Sequence, residues 1–206
     1  MSFCSVADLE AYLQIAIPAS KLGSAERAID EATATIRNYC RQQLELVEDD
    51  EVSLDCLGGT KLLLPELPVI AVSSVVEDGE TITATTDYKP GASGILHRIG
   101  TNWTRGIQIV TVIYSHGYRL TDGAVGDLLP EDIVQVCVRA ATRAYQAGLR
   151  AEEAAGVPGL QATSLGDYSV QFGSEQAGGS GEAMLGASAA RMLLLSEKDL
   201  LNRYRP

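Results

Sequence analysis

Aromatic residues are scarce in this 206-residue chain, at 5%, with two Phe and one Trp. Histidine is scarcer still, with His97 and His116 as the only pair. So thin a supply of imidazole, beside four scattered cysteines without a C-x-x-C pair, leaves few ligands for a structural metal, and none is expected. Long apolar runs are missing: Met192-Leu193-Leu194-Leu195 is four residues, against the roughly 18 that a membrane helix needs. The opening Met1-Ser2-Phe3-Cys4 has neither the basic region nor the apolar stretch of a signal peptide, so the expectation is a protein made in a cytoplasm, with no membrane partner. Positive charge is also in deficit. Sixteen Lys and Arg face 27 Asp and Glu, a net −11, which argues against nonspecific DNA binding through phosphate neutralisation. Acidity serves solubility, and it also suits a wall past which DNA must slide without sticking.

The familiar catalytic signatures are missing too: no P-loop, no G-x-G-x-x-G after a strand, no G-x-S-x-G and no H-E-x-x-H. His116 ends an apolar run without a recognisable base or nucleophile and reads as a strand-end polar residue. The run Glu48-Asp49-Asp50-Glu51 lacks the alternating ligand spacing of a cation loop and reads as a solvated turn. Trp103 near Arg105 is too small a cluster to signal nucleic-acid stacking. The expectation is a non-enzyme without catalytic residues or cofactors.

What is present is patterning. Ser5-Val6-Ala7-Asp8 has the form of a capping box, and Leu9, Tyr12, Leu13 and Ala16 follow at helical spacing, predicting a helix over 5–17 closed by Pro18. Ala25, Ala28, Ile29, Ala32, Ile36, Tyr39 and Cys40 trace one face of a second helix over 24–44. Residues 50–118 read as an inserted, small, mainly antiparallel sheet. Asp78-Gly79 supplies a hairpin turn after the β-branched run Val69 to Val76. Pro130-Glu131-Asp132 starts a third helix over 130–147, which Gly148 is expected to end. Its small apolar face, with Cys137, Ala140 and Ala141, should pack on the 24–44 helix, Cys40 and Cys137 serving as small buried apolar residues.

Beyond this core of residues 1–148, the segment 149–206 reads as a flexible arm, Gly-rich around 175–187. Two features stand out in it. Residues 166–172 alternate Tyr168, Val170 and Phe172 and suggest a strand in want of a partner edge, in this case between subunits. Ser196-Glu197-Lys198-Asp199 reads as a second capping box, opening a short helix over 196–205 with Leu195 and Leu200 as its staple. So short a helix is marginal alone. A well-capped helix after a flexible arm is expected to dock on another protein, the alternative being that it folds back on its own domain. The fold class is therefore α+β, a helical core with an inserted sheet and a C-terminal arm.

The order of these segments resembles the head-to-tail connector (adaptor, head-completion) family of long-tailed bacteriophages and prophages. The likeness is carried by Ser5 to Leu13, by Ala28 to Arg41 with Ile36-Arg37-Asn38-Tyr39-Cys40, and by Leu64-Pro65-Glu66-Leu67-Pro68-Val69 leading into the sheet. Further on it is carried by Asp87-Tyr88, by Gly94-Ile95-Leu96, by Val110 to Tyr118 and by Leu129-Pro130-Glu131-Asp132-Ile133. It closes with Leu165 to Val170 and with Leu195 to Arg205. The resemblance implies a ring of identical copies, usually a dodecamer, seated under the portal protein in the virion neck. Such a ring extends the DNA channel, without specific DNA binding, and receives the next neck or tail-completion protein. It also implies that Leu200, Leu201, Arg203, Tyr204 and Arg205 dock on the portal. The alternative within the same particle is a tail-completion or stopper protein, usually a small β-barrel, against which two long core helices speak.

Overall fold

The computed structural model describes residues 2–91, 93–120, 126–155, 162–165, 168–171 and 192–205. The fold is α+β, with every strand pairing antiparallel. The chain forms two compact units: a helical unit of residues 2–36 and 134–200, and a β unit of 37–133 and 201–206.

In the helical unit, α1 spans Val6–Leu13. The capping box forms as the sequence predicts: Asp8 N–H donates to Ser5 Oγ at 3.2 Å, and Ser5 N–H donates to the Asp8 carboxylate at 2.8 Å. The helix stops well short of Pro18, because Gln14 turns left-handed (φ 56°) and ends it. Leu9, fully buried, is its anchor, and burial of such a side chain stabilises by about 1.5–3 kcal/mol. A single 3-10 turn, Ala19–Lys21, leads into α2, Leu22–Cys40. That helix closes at Arg41, again with positive φ, so the stretch to residue 44 lies outside it. Ala25, Ala28, Ile29, Ala32 and Ile36 are buried on one side of α2, and Val136, Cys137, Ala140 and Ala141 on one side of α3. Thr33 Oγ1 meets Cys137 Sγ at 3.6 Å. Thr33 and Cys137 are thus one point at which the two helices meet.

Helix α3 runs Glu131–Ala155 and passes straight through Gly148, so the predicted end at residue 147 is too early. A β-carbon at Gly148 would meet nothing within 4 Å, so the residue is tolerated on an open face. The following Arg150, Ala151 and Glu152 are good helix formers, and Lys21 pairs with Glu152.

The β unit corrects the expectation of one sheet. Strands β1 (Val47–Cys56), β3 (Val69–Glu77), β4 (Glu80–Ile82) and β7 (Gly106–His116) form a four-stranded sheet in the order β1-β7-β3-β4. Strands β2 (Lys61–Leu63), β5 (Tyr88–Pro90) and β6 (Ile95–Arg98) form a second, in the order β2-β6-β5. Pro65 and Pro68 lie between β2 and β3, and lacking an N–H they do not extend a ladder. The chain therefore leaves β2 to pair elsewhere. One core serves both sheets, with Leu62, Tyr88 and Leu96 from the smaller packed with Val75, Val110, Val112 and Tyr114 of the larger. The β3–β4 hairpin turns at Asp78 and Gly79, both with positive φ (51° and 83°), as a two-residue primed turn requires.

The acidic run is not a turn. Glu48 to Glu51 lie within β1, where a register shift between Val47 and Asp50 and a positive φ at Asp49 mark a bulge. Since β1 is an edge of its sheet, charge and bulge together protect it against unwanted pairing. Trp103 is buried, and the cation over its ring is Arg98 at 5.5 Å rather than Arg105. Arg98 in turn pairs with the buried Glu77 at 3.0 Å. This is a core feature and offers no stacking face for a base.

Candidate functional site

The terminal segment begins in the helical unit. Helix α4 spans Leu195–Leu201 and a 3-10 turn, Asn202–Tyr204, follows it. The cap differs from the one expected at Ser196. Lys198 N–H donates to Leu194 C=O at 3.0 Å and Leu194 N–H donates to Glu197 Oε2 at 2.9 Å, so Leu194 is the N-cap and Glu197 closes half a capping box from the third helical position. Glu197 is buried, and its Oε2 also accepts from Arg143 Nη2 of α3 at 2.6 Å. The same Arg143 nitrogen donates to Met192 C=O at 2.8 Å. Leu193 is buried as well, whereas Leu194 and Leu195 remain 39% and 73% exposed.

The last residues belong to the β unit. Leu201 is fully buried, and its carbonyl lies 4.0 Å from Cys40 Sγ. Tyr204 C=O accepts from Gln42 Nε2 at 2.6 Å, and the Gln42 side-chain oxygen accepts from Leu67 N–H at 3.2 Å. Asn202 Oδ1 accepts from Tyr39 OH at 2.8 Å. The Tyr204 ring meets Tyr118 edge-on with centroids 6.4 Å apart, and the Arg205 guanidinium lies 5.3 Å from the Tyr39 ring centre. Burial pushes the Tyr204 and Tyr118 hydroxyls upward in pKa, and pushes the Cys40 thiol up to about 11 against the opposing charge of Arg205.

In this structure the segment packs on its own chain, through Gln42 and Arg143. Leu201, which the resemblance implies as a docking residue, is fully buried here and holds the segment in place. Leu200 and Tyr204 are half-buried, and Arg203 and Arg205 are exposed. Those two arginines, with Tyr118, Tyr204, Leu67 and Pro68, line a cavity of about 170 Å³. A wider open cleft of about 800 Å³ lies at the end of α2, where Arg37, bonded to Glu45 through Nε at 3.0 Å, faces Arg41 and Glu66.

The other predicted strand finds a partner in the same chain. Residues Tyr168–Gln171 (β9) pair antiparallel with Ala162–Leu165 (β8). Phe172, named with Tyr168 and Val170 for an inter-subunit role, lies outside the described residues, as does the Gly-rich 175–187 stretch.

His116 sits at the end of β7, buried, with Nε2 at 3.3 Å from Asp50 Oδ2 and its ring 5.0 Å from that of Tyr114. The neighbouring Ser115 hydroxyl accepts from Asp49 N–H at 3.1 Å, which occupies it structurally. Among the described residues no group of three or more His, Cys, Asp or Glu is placed to hold a metal ion, and no helix is long and apolar enough to cross a membrane.

Sequence alone did not point to Arg143 or Gln42, two of the side chains that hold the terminal segment. The one available signal was Glu197 standing three residues after Leu194. No protein-family model matches the chain, and no curated protein matches it. Among solved structures it is similar to a chain of the neck of a native GTA particle computed with C12 symmetry, at 15% identity and a TM-score of 0.48, over 97% of this chain and 87% of that one.

Proposed function

We propose that this chain is a structural subunit of the neck of a tailed-phage-like particle, a head-to-tail adaptor. In this reading copies assemble as a ring beneath the portal protein, lengthen the DNA channel and present a platform to the next neck component. The observation that carries the reading is the order of the connector-like segments on the elements that form. Ser5 to Leu13 supplies a capped opening helix, Ala28 to Cys40 lies in α2, and the Leu64-to-Val69 lead-in opens β3. Val110 to His116 falls in β7, Pro130 immediately precedes α3, and Leu195 to Leu201 forms α4. An acidic chain suits a channel wall, since it repels the phosphate backbone.

The portal-facing part of the proposal narrows to the exposed side chains of the segment, Leu194, Leu195, Arg203 and Arg205. Modest contacts repeated around a ring gain strength through effective concentration. The β unit, with its own core, gives the stopper alternative its weight, and the paired helices α2 and α3 favour the adaptor.

Deleting residues 195–206 would test docking poorly, because it removes Leu201 and Glu197 from the interior. Leu195→Asp with Arg203→Glu and Arg205→Glu changes exposed side chains, at the loss of the Arg205 contact with the Tyr39 ring, about 0.5–1 kcal/mol at an exposed site. The triple variant should remain folded, with a melting temperature only slightly below wild type, and fail to co-sediment with assembled portal from the same genome. Undiminished co-sedimentation would remove the docking role from this segment.

A further inference from the structure

Cys4 precedes α1 and Cys137 lies within α3, 133 positions apart in sequence, yet their sulfurs are 3.3 Å apart inside the helical unit. Both are free and buried. Thr33 Oγ1 is 3.6 Å from Cys137 Sγ, and Phe3 N–H donates to the same Thr33 oxygen at 3.2 Å. The two remaining cysteines are elsewhere: Cys40 faces the Leu201 carbonyl and Cys56 belongs to the β core. Hydrogen bonding from Cys4 holds the Cys137 thiol below its ordinary pKa against the opposing effect of burial, with Thr33 and the Phe3 amide assisting. The same hydrogen bond, then burial, raises Cys4. Within the pair, Cys137 is thus the sulfur that gives up its proton more readily, with Cys4 as the neighbouring thiol.

We infer that Cys4 and Cys137 are a covalent oxidation site, closed by a peroxide into an intramolecular disulfide that pins the segment before α1 to α3. The thiolate sulfur of Cys137 attacks one peroxide oxygen. The O–O bond breaks, a sulfenic acid forms and hydroxide leaves, taking a proton to become water. The Cys4 sulfur then displaces the sulfenic hydroxyl. An S–S bond forms, the S–O bond breaks, and the Cys4 proton leaves with the hydroxyl as a second water. Two thiols are oxidised and one peroxide is reduced, so atoms and electrons balance. The sulfurs need to approach by roughly 1.3 Å to reach a disulfide bond length. Cys4, in the non-helical residues ahead of α1, supplies that movement. Thiols of this kind stay reduced in a cytoplasm and oxidise outside it, so the bond would mark a chain that has left the cell. The chemistry itself does not depend on the neck reading.

The test uses the full chain alone, native, treated with hydrogen peroxide. Remaining thiols are then alkylated under denaturing conditions, and the protein is digested without reduction for mass spectrometry. The expected product is a Cys4–Cys137 linked peptide lighter by two hydrogens, with Cys40 and Cys56 alkylated and a melting temperature above that of the reduced protein. Cys4→Ser under the same treatment should accumulate sulfinic acid at Cys137, having lost the resolving sulfur. The inference is overturned if both cysteines alkylate after treatment, if wild-type Cys137 over-oxidises while Cys4 stays free, or if Cys4 links to Cys40 or Cys56. Portal binding enters none of these readouts, so failure here and failure of the adaptor reading are separate results.

Discussion

Replacing Glu197 by Ala tests how the terminal helix is held. Its carboxylate is 3% exposed and accepts two hydrogen bonds through one oxygen, from Arg143 at 2.6 Å and from the Leu194 amide at 2.9 Å. Loss of the amide contact alone is a lost helix cap, about 1 kcal/mol. Breaking a wholly buried ion pair costs about 3–5 kcal/mol, because the surviving charge is stranded. Here the surviving Arg143 side chain is 29% exposed and keeps its bond to Met192 C=O. Water therefore relieves much of that penalty, leaving about 1–2 kcal/mol for the pair. The sum is about 2–3 kcal/mol. Urea unfolding followed by far-ultraviolet circular dichroism should show the midpoint falling at unchanged slope. Hydrogen exchange should show the amides of residues 197–204 losing protection before the β core does. A loss below about 0.5 kcal/mol, well under the value of one cap, with those amides still protected, would refute the view that this carboxylate anchors the segment.

Other predictions concern the β unit. Gly117 has φ +90°, and a β-carbon there would overlap the carbonyl oxygen of Glu45, so Gly117→Ala should cost more than the ~1 kcal/mol of a simple glycine replacement and lower soluble yield. Gly79→Ala, where φ is +83° but the space is open, should cost only about 1 kcal/mol by thermal melting. Burial pushes Tyr114 up to about 12 and Cys40 up to about 11, from 10.0 and 9.0. The unfolded chain therefore releases these protons first. Their stabilisation is fully present below pH 9 and is lost as pH climbs toward 12. A urea midpoint that stays flat from pH 8.5 to 11 would contradict this. Tyr114→Phe should soften the fall above pH 10, while losing the bond that the phenol oxygen accepts from Glu66 N–H at 3.2 Å.

Local signals were the legible ones. Ser5 with Asp8, Asp78 with Gly79, and Pro130 ahead of its acids each act within a few residues, and each forms as read. Helix ends were less legible. Gln14 and Arg41 adopt left-handed backbone without the glycine that would announce it, and Gly148 announces an end that does not come. The split into two sheets depends on β2 choosing β6 over its sequence neighbour, a long-range choice that alternation alone does not encode. At the terminal segment, the pattern Ser196-x-x-Asp199 resembled a cap more closely than Leu194-x-x-Glu197 did. Burial of Glu197 against Arg143, 54 residues away in sequence, decided for the second. The nearness of Cys4 to Cys137 has the same origin, since only the packing of α3 beside the residues that precede α1 brings them together.

The interleaving of the two units has a consequence for how the protein is born. A ribosome delivers residues 2–36 early, yet the residues that complete their unit, 134–200, emerge only after all seven strands of the two larger sheets. Those strands can find one another while α2 still waits with its alanine face bare. Leu201, buried in the β unit, emerges later than all of these strands. A nascent chain stalled near residue 130 would thus carry exposed helix-packing surface, a target for holding chaperones that the finished molecule no longer presents.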